Sequence, residues 1–317
     1  MINTSWFLTK NGLIFSRCAV MAASISSFTG YVGLHSWFLD NYRKVFQFYS
    51  SGFEKPLSSE LVSLSKEVLE ESNLTEKQKE SFKFFMVCGF DTFHAGSTQL
   101  NTGGLVGLPN HFNYTKEDDV EKHAIKLQNN SSVHWSTRAG QSLLDSLVLS
   151  RAAQKFATAR EIHYCTTSYV YAYGVGGTIA ITAAYLLGNG LAVRFQLYRL
   201  PLKLRAALYS ICGSLGLFLF VTTKDAASQY WDGYADRTAA KTSSEYLNGG
   251  IEYYEKCLKR NVALRTLMGE EGEKYFTWHG NRKTFIRAVT LPLTVRLDNL
   301  KAMKAKEQQI LESIEAN

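Results

Sequence analysis

The chain has 317 residues, 45% of them hydrophobic and 20% charged, with a formal net charge of +7, enough for one large domain or two modest ones. Residues 1–38 carry only Lys10 and Arg17, and 194–205 carry Arg194, Arg199, Lys203 and Arg205 with no acid, whereas 39–165 and 224–317 are nearly neutral. Basic residues confined beside apolar runs are topology signals and argue against nucleic acid as a partner, which needs a basic face or groove.

Residues 1–39 read as a targeting or anchor segment. No acid precedes Asp40, and Cys18 to Leu39 is uncharged, though it carries Ser24, Ser26, Ser27, Thr29 and His35. That length exceeds the apolar core of a cleaved signal, so a membrane anchor is the favoured reading over a cleaved presequence.

Residues 40–165 read as a small α+β region ending in a long helix. Leu61, Leu64, Val68 and Leu69 have helical spacing within Ser59–Ser72, and Thr75 with Gln78 forms a capping box for a second helix. Aromatic residues from Phe82 to Phe93, and the run Leu105 to Tyr114 after a glycine pair, predict strands. The segment GGLVGLP at 103–109 lacks the lysine and following helix of a phosphate loop and is expected to form a turn at a strand edge. From Ala139 to Cys165 one helix is predicted, with Leu144, Val148, Ala152, Phe156 and Ala159 as its apolar stripe. Arg151, Lys155 and Arg160 lie off that stripe, and the helix is expected to run straight into the membrane.

Residues 166–223 read as a transmembrane hairpin. Thr166–Val193 and Ala206–Thr223 are uncharged, and each is long enough to cross about 30 Å of hydrocarbon at about 1.5 Å per residue. The turn at 194–205 is basic and holds Pro201, which discourages one continuous helix. Gly176, Ala180, Ala184 and Gly188 recur every four residues on the first helix, and Ala206, Ser210 and Ser214 on the second. Small residues on one face let helices approach closely in lipid, so these are the expected packing positions. The lipid bilayer is the first partner implied. With three spans, Lys10, Arg17 and the basic turn share one side and both polar regions lie on the other.

Residues 224–317 read as a helical C-terminal region. Asn248-Gly249-Gly250 is expected to punctuate it, followed by an amphipathic helix through Ile251, Tyr254, Leu258 and Val262, closed by Gly269. A last amphipathic segment carries Leu297, Leu300, Ile310, Leu311 and Ile314. The fold class is thus a mainly α membrane protein: a helical hairpin plus an N-terminal span, a small α+β region and a helical C-terminal region.

The chain carries no HExxH, GxSxG, Walker or GxGxxG motif. Cys18, Cys88, Cys165, Cys212 and Cys257 lack CxxC spacing, against a disulfide framework or zinc ribbon. His94, His111, His123 and His134 match no compact metal signature, and His163 and Cys165 project about 200° apart on a helix, which spoils joint ligation. Catalytic, cofactor and metal sites are therefore expected to be absent. The competing readings are a copper-handling membrane protein using Cys88 or Cys257, and a membrane-bound enzyme, which needs a polar pocket of converging ionisable groups.

The segments LSRAAQKFATAREIHY at 149–164 and GGIEYYEKCLKRNVALRTLMGEEGEKYFTWHGN at 249–281 resemble the transmembrane protein 177 family, as do VHWSTRAGQSLLDSL at 133–147 and the Gly-Leu-Pro turn at Pro109. The resemblance covers roughly 103–281. It implies a multi-pass protein of the mitochondrial inner membrane, non-enzymatic, acting in early maturation of cytochrome c oxidase subunit 2. It further implies binding and stabilisation of that subunit's membrane chaperone, cytochrome c oxidase assembly protein 20, with copper metallochaperones as further partners. The side opposite the basic turn would be the intermembrane space. By the resemblance, Arg151, Lys155, Arg160, Tyr253, Glu255 and Lys256 are the candidate partner contacts.

Overall fold

The computed structural model describes all residues except 1–5, 7–8, 51, 128–131, 198–199, 285–286 and 316–317; Arg199 of the basic turn lies outside the described residues. Among the described residues, three helices are long and apolar enough to cross a membrane: α1 (Lys10–Leu34), α7 (Tyr169–Arg194) and α8 (Leu202–Ala240). α7 packs on both of the others. Phe28 meets Gly174, and the Thr178 hydroxyl donates to the Ser24 carbonyl at 3.1 Å, so α1 runs antiparallel to α7. α8 is antiparallel to α7 as well, since a Cβ on Gly216 would lie 2.7 Å from Ala184 and Gly188 faces Tyr209 and Cys212. Lys10, Arg17, Arg194, Lys203 and Arg205 therefore gather at one end of the bundle, as the charge pattern predicts.

The small-residue seam is borne by Ala180, Ala184 and Gly188 of α7, with Gly176 facing Phe220 more loosely at 3.9 Å. On α8 it runs through Cys212 and Gly216, which are buried, whereas Ser210 and Ser214 are exposed. The phase differs because the aromatic rings of Tyr209 and Phe220 also have to find room against the α7 glycines. α8 does not stop at Thr223 but continues as one helix to Ala240.

The opposite end carries a single polar body built from both polar regions. After α2 (Leu39–Phe46), a short hairpin of β1 (Tyr49–Ser50) and β2 (Phe53–Glu54) precedes α3 (Ser59–Glu71) and α4 (Glu76–Glu80). The capping box at α4 forms as expected, with Thr75 and Gln78 bonded in both directions. Three strands follow: β3 (Phe82–Val87), β4 (Phe93–Ser97) and β5 (Gly103–Pro109), in the order β3-β5-β4. β5 pairs parallel with β3, Phe82 opposite Gly104, and antiparallel with β4, Phe93 opposite Gly107. GGLVGLP is thus the fully buried central strand, not an edge turn. Its glycines admit neighbours on both faces: a Cβ on Gly104 would come 2.7 Å from the Phe82 ring and 3.0 Å from Cys165, and one on Gly107 2.9 Å from Val87.

The long helix expected over 139–165 is two, α5 (Arg138–Leu147) and α6 (Arg151–Thr166). The break is chemical. Ser150 accepts from the Ala153 amide at 3.1 Å as an N-cap, while its own N–H and hydroxyl donate to Glu252 at 2.9 and 2.6 Å. Nor does α6 enter the membrane directly, since Thr167 and Ser168 separate it from α7. It has no polar face either. Every residue from Ala153 to Cys165 except Gln154 is buried, because the sheet, α3, α8 and α9 (Ser244–Leu267) surround it. Asn248-Gly249-Gly250 does not interrupt α9; a Cβ on Gly249 would lie 2.3 Å from the Ala152 carbonyl oxygen, so these glycines let α9 lie directly on α6. Gly269 closes that turn with φ of 60°, ahead of α10 (Glu270–Tyr275). The last helix, α11 (Leu293–Glu315), buries Leu297 and Leu300 against α9 and leaves Ile310, Leu311 and Ile314 exposed.

Candidate functional site

Where α6, α8, α9 and α11 meet, five charged side chains, Arg160, Glu161, Asp232, Asp236 and Arg296, are buried together. Arg160 donates from Nε to Asp236 at 3.1 Å and from NH2 to Asp232 at 3.0 Å, and it also bonds its neighbour Glu161. Arg296 of α11 grips Asp236 with two bonds of 2.6 Å, and the Tyr254 hydroxyl donates to the same carboxylate at 2.6 Å. Glu161 also accepts from Thr92 and meets His94 Nδ1 at 2.5 Å. Asp225, Asp232 and Asp236 sit seven and four residues apart, which puts them on one face of α8, turned towards α6 and the segment that leads into α11.

This cluster borders a polar cavity of about 270 Å³, also lined by Asp91, Tyr253, Cys257, Asn261 and Arg282. Asp91 accepts from Arg260 and Arg282, each at 2.6 Å, tying the loop after β3 to the C-terminal region. Ionisable groups do converge here, as an enzyme would need, but the carboxylates named are already engaged by guanidinium groups of the same chain. Burial alone would raise the Glu161 carboxyl, yet Arg160 and then His94 outweigh it and bring it down to about 2. Burial, aided by Arg260, lowers His111 to about 3, and burial lowers His163 to about 4. Burial also pushes the Cys165 and Cys257 thiols up. Cys165 points its Sγ at the Ala95 carbonyl, 3.6 Å away, on the sheet side of α6. Among the described residues no three His, Cys, Asp or Glu side chains are grouped to hold a metal ion.

The six candidate contact residues are spread over three places. Arg160 and Tyr253 belong to the buried cluster and the cavity wall. Arg151 and Lys155 face α3, where Arg151 pairs with Glu67, and Lys155 reaches Glu67 at 2.9 Å and Glu71 at 2.7 Å. Burial would lower the Lys155 ammonium, but Glu71 and Glu67 win and raise it. Glu255 pairs with Lys301 at 2.7 Å and Lys256 with Asp145 at 2.9 Å on the outer side of α9. Arg151 and Glu255 remain exposed; Lys155, Arg160 and Tyr253 are interior. The reading from sequence missed Asp225, Asp232, Asp236 and Arg296. Their signal is the acidic i, i+7, i+11 spacing just beyond the apolar run that ends at Thr223.

Three spans joined at one end by basic residues and at the other by a single polar body define a multi-pass integral membrane protein. The model of the family described as Transmembrane protein 177 matches residues 86–317. Transmembrane protein 177 of Xenopus laevis is 33% identical over 88% of this chain and 90% of its own length. That of Homo sapiens is 32% identical over 82% of this chain and 83% of its own. No solved structure matches the chain. The chain belongs to the Transmembrane protein 177 family.

Proposed function

We propose that the chain is a non-enzymatic assembly factor of the mitochondrial inner membrane. In this reading it supports early maturation of cytochrome c oxidase subunit 2 by binding and stabilising the membrane chaperone of that subunit, cytochrome c oxidase assembly protein 20. Family membership over residues 86–317 is the observation that carries it. The cavity supports a holding role over catalysis, because its carboxylates and guanidinium groups are spent on one another. The polar body would lie in the intermembrane space, opposite the basic end. Direct partner contact falls to the exposed Arg151 and Glu255 and the half-buried Lys256, while Lys155, Arg160 and Tyr253 act by holding α6, α8 and α9 in register.

The test is a tagged full chain purified from digitonin-solubilised mitochondria, paired with chaperone levels in cells lacking the chain. Co-purification of the chaperone, and its depletion in those cells, are the expected results. A chaperone that neither co-purifies nor changes in abundance would overturn the proposal. Copper metallochaperones as further partners are tested in the same eluate.

A further inference from the structure

A second cavity, of about 460 Å³, opens on the outer side of α8 where it leaves the membrane. Its lower wall is apolar and belongs to the span: Leu217, Phe218 and Val221. Its upper wall is polar: Asp225 and Gln229 of α8, closed over by Arg287 and Ala288 from the segment before α11. Arg287 donates from Nε and NH2 to the two Asp225 oxygens at 3.0 and 2.8 Å, and Gln229 donates to the Ala288 carbonyl at 2.5 Å. Lys224, one residue before Asp225, lies over the rings of Tyr31 and Tyr173 near the end of α1. Tyrosines paired with a cation near the ends of spans mark the headgroup level. The Asp225–Arg287 pair therefore sits at that level, directly above hydrocarbon.

We propose that this cleft is a binding site for one ordered phospholipid, its acyl chain along Leu217, Phe218 and Val221 and its phosphate against Arg287. The volume falls within the range of about 300–1,000 Å³ typical of small-molecule sites. The cleft is continuous with the bilayer-facing surface of α8, so lipid reaches it without leaving the membrane. The Asp225 carboxylate engages only the Nε–NH2 edge of the guanidinium; among the described residues NH1 has no acceptor, on a side chain that is 45% exposed. A phosphate oxygen there gains a charge-assisted bond. A transmembrane helix fits less well, because the closing segment of Arg287 and Ala288 roofs the upper end. The site is independent of the assembly role.

The experiment uses the full chain reconstituted in nanodiscs of phosphatidylcholine with a minor share of phosphatidylglycerol, then extracted into detergent and weighed by native mass spectrometry. One retained phospholipid per chain is expected. Val221→Trp fills the apolar wall and should abolish retention while the helical circular dichroism is unchanged. The double variant Arg287→Gln with Asp225→Asn removes the ion pair without stranding a charge and should cut retention about tenfold, the effect of one lost charge-assisted bond. Excess inorganic phosphate should not displace the lipid, which separates a lipid site from a plain anion site. Absence of a retained phospholipid, equal retention in Val221→Trp, or displacement by phosphate would each overturn the proposal.

Discussion

Glu161→Gln tests the buried ionic cluster directly, because it removes one charge and almost no volume. Glu161 is 1% exposed and accepts from Arg160, Thr92 and His94. Its carboxyl titrates at about 2 in the fold against an ordinary 4.5, since Arg160 and His94 outweigh the cost of burial. The unfolded chain thus takes up the proton more readily than the folded one. The charge stabilises the fold fully above pH 4.5, and that contribution fades as pH falls towards 2. The difference is worth about 3 kcal/mol at neutral pH, in line with about 3–5 kcal/mol for breaking a buried ion pair from one side. At about 2–4 °C per kcal/mol, Glu161→Gln should melt roughly 6–12 °C below the natural chain at pH 7. The assay is intrinsic-fluorescence melting of the full chain in detergent from pH 7 to pH 3, where the gap should narrow below pH 4.5. Equal melting temperatures at pH 7, or a gap that stays constant down to pH 3, would refute the electrostatic account.

Gly249→Val drives a side chain into the Ala152 carbonyl, which is backbone and cannot swing aside; about 2–3 kcal/mol of overpacking should appear as faster proteolysis between α5 and α6. In the membrane, Gly216→Leu meets Ala184 and the Ala180 carbonyl and should separate α7 from α8, whereas Ser210→Leu, on an exposed position, should leave the melting temperature within about 1 °C. Engineered cysteine pairs across the seam would report the difference as lost crosslinking. Cys88 is exposed on the polar body, while Cys165 and Cys257 are buried with raised thiols. A membrane-impermeant maleimide should therefore label Cys88 from the polar side only, and labelling from the basic side would invert the topology.

The membrane architecture was legible because bilayer thickness imposes length and composition on each span, and Lys and Arg mark the ends. α3 and the Thr75–Gln78 box were legible because their signals are local. The failures share one cause. Whether Gly103–Pro109 is a turn or a central strand, and whether Gly249-Gly250 breaks a helix or seats it, depends on what lies opposite in space. α6 misled for the same reason: an element enclosed on every side loses the polar stripe on which periodicity relies, and its Lys155 and Arg160 read as surface charges. The buried cluster joins residues from Thr92 to Arg296, and no spacing rule connects them. Ser150 was the one local clue to the α5–α6 break, a serine followed by a good helix former.

At 39 residues, α8 is an unbroken rod of about 58 Å, of which the last 17 residues, about 25 Å, stand clear of the apolar run. Its outer part carries Asp232 and Asp236, to which both α6 and α11 are fastened. A 10° change of tilt in the hairpin would swing the far tip by roughly 4 Å, and tilts of that size accompany modest changes in bilayer thickness. Because Asp232 and Asp236 tie α6 and α11 to that outer part, any such tilt would carry the polar body with it rather than bend the rod beneath it.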